Sequence, residues 1–303
     1  MADRTWIPAL LGAEPFARLA EELPGTALQS VLLEVMERRA RARRPAEVLA
    51  QYARDPFCAP APVDQRTLVA LDAALLGAAE GFEAVELSPV APLGTCSAVA
   101  ATGQRRVLSA LRATEVVSDP TNVLALELAR RLGREGGPAV HLATSQRVVR
   151  AQAVPRVAGY AQHFRLFALA SGGPEEAEHG FTARTVALHV RTMLRALDAA
   201  QAAGYAVGPR RVDVLATPAR SALGDHLAGE LGPDAPTARA ALAHAYYSGG
   251  LRCMIWAAAP DGVEFPIADV GAFDWLATLT TNRRAVFVAS GLGAQLLPAR
   301  FRR

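Results

Sequence analysis

The sequence predicts an α+β fold: a mostly antiparallel sheet flanked by helices, preceded by a helical N-terminal extension. Three observations carry this expectation. From Asp64 onward, short apolar runs of strand length alternate with stretches of helical periodicity. Some of these runs are joined by hairpin-length turns, which favours antiparallel pairing and an α+β layout. Before Asp64 only helical segments are read, and they end in the proline-rich stretch Pro56–Pro62, a linker by composition. The chain is therefore divided into an N-terminal helical extension over 1–60 and a core over 61–303.

A first helix is predicted over 26–44, where Leu28, Val31, Leu32 and Val35 recur at helical spacing. It ends in Arg38, Arg39, Arg41, Arg43 and Arg44. Arginines in a last turn complement the helix dipole, so a solvated helix end accounts for them. Contact with RNA or another anionic partner is the alternative. Pro45 stops this helix because it lacks an N–H donor, and a short helix follows over 46–54. In the core, 64–80 suits a helix, and Phe82–Ser88 suits a strand stopped by Pro89. Helical periodicity returns over 120–134 and 181–203, while Val140–Arg150, His163–Ala170, Arg211–Thr217, Leu251–Ala258 and Ala285–Ala289 read as strands. Ser171–Glu178 and Gly232–Pro236 read as polar loops.

Composition narrows the function. With 303 residues, 51% hydrophobic and 20% charged, the chain can bury a sizeable core and is not disordered. No apolar run approaches the roughly 20 residues of a membrane span. Met1–Glu14 lacks the basic-then-apolar build of a secretory signal, so a cytoplasmic protein without membrane contact is expected. The three cysteines are far apart, and nothing near Cys96 in sequence would activate it. Every one of the 32 basic residues is arginine. Without lysine there is no internal aldimine with pyridoxal phosphate, no P-loop lysine and no lysine base. Phosphate or carboxylate must be held by arginine forks, backbone amides or a metal. The six histidines show no metal-binding spacing, and a net charge of +3 makes no case for nucleic acid.

Five segments carry candidate chemistry. In Ser118-Asp119-Pro120-Thr121, an N-cap aspartate and a first-turn proline open a helix. An anion beside a hydroxyl also suits an ammonium ligand. Arg147–Gln152, followed by His163-Phe164-Arg165, sets Arg150 and Phe164 on a candidate hairpin, either as surface and core residues or as an anion-and-ring site. Tyr246-Tyr247-Ser248-Gly249 offers faces and hydroxyls to a flat polar group, or two tyrosines at a core edge. Asp269–Trp275 and Ser290-Gly291-Leu292-Gly293 complete the series; the second could open a helix whose N-terminus holds an anion.

In this order, over roughly residues 64–297, the segments resemble the catalytic core of histidyl-tRNA synthetase and of its paralogue, the regulatory subunit of ATP phosphoribosyltransferase. The resemblance implies a core like that of class II aminoacyl-tRNA synthetases. Asp119 and Thr121 match the acid and threonine of R-P-E-G-T, which hold the amino group of the amino acid; Val117 or Ser118 replaces its arginine. Arg150, Gln152 and Phe164 fall on the arginine, glutamate and stacking aromatic of F-R-x-E and R-x-F, which serve the α-phosphate and adenine. Tyr246 and Tyr247 match R-G-L-D-Y-Y-T-G, with Leu242 in place of its arginine and Ala245 in place of its aspartate. Gly271 and Asp274 match G-G-R-Y-D, whose arginine has become Ala272, and Gln295 stands where a final helix carries the arginine for the γ-phosphate.

The implied ligand-binding residues are therefore Asp119, Thr121, Arg150, Gln152, Phe164, Tyr246, Tyr247, Asp274 and Gln295, with Arg150 the candidate for a catalytic role. Two functions remain open. One is a paralogue without a tRNA-charging role that binds an amino acid or related small molecule as a regulatory subunit or pseudoenzyme; Leu242 and Gln295 favour it because transition-state charge stabilisation is lost. The other is an enzyme activating an amino or carboxylic acid with ATP and Mg²⁺ as cofactors, favoured by Asp119, Thr121, Arg150 and Phe164. The chain ends six residues after Leu297, so no anticodon-binding domain is expected. The resemblance also implies a homodimer through the helix 64–80 and the strand reaching Pro89, and the regulatory reading adds a partner protein.

Overall fold

The computed structural model describes residues 6–302 apart from Ala101, Pro155, Arg156, 232–236 and Ala245. The expected loop Gly232–Pro236 and the replacement at Ala245 thus lie outside the described residues. Helices α1 (Trp6–Leu11), α2 (Ala13–Ala17), α3 (Gly25–Arg41) and α4 (Pro45–Tyr52) build the N-terminal region. Among the described residues none before Leu68 is buried, so these helices present their apolar stripes outward. In the core, α5 (Gln65–Gly77) opens on Asp64, whose carboxylate accepts the Arg66 and Thr67 N–H groups.

The main sheet has eight strands: β1 (Glu83–Ala84), β5 (Val140–Val149), β6 (His163–Pro174), β7 (Arg210–Ala216), β8 (Thr237–Ala241), β9 (Leu251–Ala258), β10 (Glu264–Phe273) and β11 (Ala285–Leu292). Their order is β1-β5-β6-β11-β10-β9-β7-β8, parallel only at the two outer pairs, β1 with β5 and β7 with β8. A small sheet of β2 (Val90–Pro92), β3 (Ser109–Ala110) and β4 (Thr114–Val116) sits beside it, in the order β2-β4-β3. The expected strand Phe82–Ser88 is reduced to the two residues of β1, because the chain leaves the main sheet to enter β2.

Side chains alternate across strands, so each face of the main sheet buries its own set. One face packs against α5, α7 (Gly180–Ala202) and α8 (Ser221–Leu231) through Phe167, Val190, Met193, Leu197, Ile255 and Val270. The other packs against α6 (Pro120–Leu132) and α9 (Trp275–Thr280) through Leu124, Leu128, Ala168, Phe273 and Phe287.

The expected loop from Ser171 proved half strand: β6 continues to Pro174. The Ser171 hydroxyl is fully buried between His141 and His189, at 2.7 Å from each. Gly172 and Gly173 let α9 and α7 approach closely: a Cβ there would stand 2.8 Å from Leu276 Cδ2 and from Phe181 Cζ. Small polar residues thus serve close packing here, and composition alone misreads them as loop.

Candidate functional site

A cavity of about 560 Å³ opens on the α6–α9 face of the sheet. Six parts of the chain wall it: the first turn of α6, the β5–β6 hairpin end, the loop around Cys96 and Arg106, the segment with His244, Tyr246 and Tyr247, strands β9 to β11, and the turn after β11 with Gly293 and Gln295. Asp119, Thr121, Arg150, Gln152, Phe164, Tyr246, Tyr247 and Gln295 all line it. Asp274 does not. Phe273 takes the inward position at the end of β10, and Asp274 begins the turn into α9, where it accepts a hydrogen bond from the Ser248 hydroxyl.

Asp119 caps α6 as the sequence predicts, and Oδ1 accepts both the Thr121 N–H at 3.1 Å and the Thr121 hydroxyl at 2.8 Å. Across from it, Arg150 donates through Nε to the Ser118 carbonyl at 3.0 Å and through Nη2 to Asp119 Oδ2 at 3.5 Å. Its guanidinium lies 5.1 Å from the Phe164 ring centre. The hairpin register pairs Val148 with Phe164, which puts Phe164 and Arg150 on the same face. One end of the cavity is thus an Arg–Asp pair laid over an aromatic ring.

The other end repeats this arrangement. Arg252 on β9 and Asp269 on β10 point into the cavity, since alternation sends Leu251, Cys253 and Val270 to the opposite face. Arg252 Nη2 donates to Asp269 Oδ2 at 3.1 Å, and its guanidinium sits 4.6 Å from the Tyr247 ring centre. The Tyr247 hydroxyl donates to the same carboxylate oxygen. Burial and the Asp269 charge raise the Tyr247 phenol, and burial with the Asp119 and Asp269 charges raises Tyr246, so both stay protonated donors at neutral pH. Tyr246 packs edge-on against His244, Tyr247, Phe273 and Trp275.

Two carboxamides complete the lining. Asn122 and Gln295 are 2% and 3% exposed, and neither Asn122 Oδ1 nor Gln295 Oε1 has a partner among the described residues. Gln295 precedes only the five-residue α10 (Leu296–Arg300), and Gly291 and Leu292 remain paired in β11. The small-residue run therefore ends a strand and does not open a helix able to hold an anion. Arg165 also lines the cavity, and its guanidinium reaches Asp72 on α5 at 3.0 Å. Cys96 is buried, and burial pushes its thiol up, so it stays protonated. Its neighbour Glu115 holds the loop by accepting the Gly94 and Cys96 N–H groups, each at 2.8 Å. His163 stands outside the cavity, between Arg147 and the Ala59 carbonyl. No three histidine, cysteine or acidic side chains cluster as a metal site among the described residues.

No protein-family model matches the chain, and no curated protein matches it by sequence. Solved structures do match. An ATP phosphoribosyltransferase regulatory subunit/histidyl-tRNA synthetase from Bacillus halodurans superposes with a TM-score of 0.59 at 14% identity, over 80% of this chain and 81% of that one. A histidine–tRNA ligase subunit from Alicyclobacillus acidocaldarius gives 0.58 at 15% identity, over 85% and 96%. Histidyl-tRNA synthetase from S. aureus gives 0.57 at 11% identity, over 80% and 68%. The core has a class II synthetase-like fold, with the mostly antiparallel sheet flanked by helices that the sequence predicts. No helix among the described residues is long and apolar enough to cross a membrane.

Proposed function

We propose that this chain is a synthetase-like paralogue that binds a free amino acid or a close analogue and does not charge tRNA. The observation that carries the reading is the single cavity in which an aspartate–threonine pair and a forked arginine face each other at one end. An amino acid would exchange the existing contacts one for one. Its ammonium would take Asp119 and Thr121, and its carboxylate would take Arg150. Its side chain would then extend toward Tyr246, Tyr247 and Asp269.

Magnesium–ATP fits this lining poorly. Leu242, Ala272 and Gln295 bring no cation, and Arg150, Arg165 and Arg252 are each already matched to an aspartate, which leaves the exposed Arg106 as the one lining arginine without an ion pair among the described residues. A triphosphate needs more than one unpaired cation, and a magnesium ion needs carboxylates that are not already bonded to arginine. We read the protein as a regulatory or otherwise non-catalytic subunit, acting as a homodimer and with a partner protein.

Calorimetric titration of the purified chain tests this, first with ATP–Mg²⁺ and then with histidine and the other amino acids. Amino-acid binding without ATP binding is the expected result. ATP binding together with amino-acid-dependent pyrophosphate exchange would overturn it in favour of an acid-activating enzyme, and binding of neither ligand would remove its basis.

A further inference from the structure

The Arg252–Asp269 end of the cavity is specific enough to name a side-group class. Arg252 and Asp269 are neighbours across the β9–β10 pair, 3.1 Å apart, and together they are a cation and an anion presented side by side. Asp269 spends one oxygen, Oδ2, on both Arg252 and the Tyr247 hydroxyl, and no described residue donates to Oδ1. The guanidinium lies over the Tyr247 ring in a cation–π contact that helps hold it in place. Elsewhere in the lining, Asn122 beside Thr121 and Gln295, whose N–H bonds the Arg165 carbonyl, keep buried amide oxygens with no partner among the described residues. A buried polar group left unpaired is costly, so these groups fit a ligand that brings its own hydrogen bonds.

Charge then discriminates among side groups. A carboxylate would meet Asp269, and an ammonium would meet Arg252, each a like-charge contact in a half-buried place. Neutral imidazole has a donor and an acceptor, but its two ring nitrogens point away from each other and cannot engage both members of the pair on one edge. A primary carboxamide can. Its oxygen and one N–H lie side by side in one plane, the oxygen for Arg252 and the N–H for Asp269.

We propose that Arg252, Asp269 and Tyr247 form the side-group selector of this cavity and that it takes a neutral primary carboxamide, as on glutamine or asparagine. The proposal rests on the amino-acid reading given above. Its test is a calorimetric ranking of L-glutamine, L-asparagine, L-glutamate, L-aspartate, L-histidine and L-lysine on the wild-type chain and on Asp269→Asn. The better carboxamide is expected to bind at least tenfold tighter than its matching acid and than histidine. In Asp269→Asn, with Arg252 left unpaired, the matching acid is expected to gain at least tenfold on the carboxamide. An acid or histidine that binds wild type within threefold of the best carboxamide overturns the selector while leaving amino-acid binding intact, as does an unchanged ranking in folded Asp269→Asn. Failure of all six ligands to bind overturns both readings. If Asp269→Asn does not fold, the wild-type ranking alone decides.

Discussion

Lowering the pH should destabilise this protein chiefly through His189. It stands fully buried on α7, with Nε2 2.7 Å from Ser171 Oγ and Nδ1 3.0 Å from Ser290 Oγ. His141 bonds the other side of Ser171, and the Phe82 ring meets both imidazoles edge-on. The two serines could accept from an imidazolium, so hydrogen bonding does not forbid the charge. Burial does, with the neighbouring His141 adding to it, and the folded pKa is pushed down to about 3. An unfolded histidine titrates near 6.5, so between these values the unfolded chain binds the proton and the folded chain does not. The penalty is absent above about pH 6.5, grows as pH falls, and levels off below about pH 3. At about 1.36 kcal/mol per pH unit, going to pH 5 costs about 2 kcal/mol from His189 alone. Burial also lowers His141, which acts in the same direction. Urea unfolding followed by far-UV circular dichroism at pH 7.5 and 5.0 measures it. With a slope of about 3 kcal/mol/M, the midpoint should drop by about 0.7 M. His189→Gln should start less stable yet lose much less between the two pH values. Parallel losses in wild type and variant would refute the assignment.

The cavity yields the remaining predictions. Glu115→Gln removes a buried charge that accepts two main-chain N–H groups and the Gln104 amide, so a loss of about 1.5–3 kcal/mol is expected by urea unfolding. The same variant should make Cys96 reactive toward an aromatic disulfide reagent; in the native wild type only the exposed Cys58 should react. Gly271→Ala would set a methyl 2.5 Å from Tyr247 Cδ1 and 2.8 Å from Phe273 Cζ. A cost of about 1–3 kcal/mol, an altered near-UV spectrum and at least tenfold weaker amino-acid binding should follow, read by melting, dichroism and calorimetry. Arg150→Met should abolish amino-acid binding by calorimetry while moving the melting temperature by no more than a few degrees, because the guanidinium is part-exposed and its Asp119 contact is long.

Elements with an unbroken period were readable from sequence. The strand Leu251–Ala258 was predicted with its observed ends, since alternate residues face one core and nothing interrupts them. The long helix α7 was equally plain because its apolar positions hold helical spacing throughout. Strand β10 was missed for a definite reason. Pro266 and a bulge before Ala268 break its alternation, and Asp269 is a charge where a core strand would show an apolar residue. That same charge marks the site, so the feature that hid the strand is the one that equips the cavity.

The candidate site divides along the same line. Asp119, Thr121, Arg150 and Phe164 were visible because each sits in a short local pattern, a helix cap or a hairpin end. Arg252 and Asp269 lie 17 positions apart and become partners only through the register of β9 on β10, which no local pattern discloses. Counting arginines motif by motif finds four missing, at Val117 or Ser118, Leu242, Ala272 and Gln295, and suggests a cavity stripped of positive charge. The structure places Arg252 in the cavity instead, next to an aspartate of its own. Only the exposed Arg106 brings the lining positive charge without an ion pair among the described residues. The difference matters for recognition, because a polyanion gains little from cations that are already neutralised. A zwitterion can trade partners with an Arg–Asp pair and leave every charge matched before and after binding. Two such pairs, each with its guanidinium over an aromatic ring, argue for a small ligand that is polar at both ends and close to neutral as a whole.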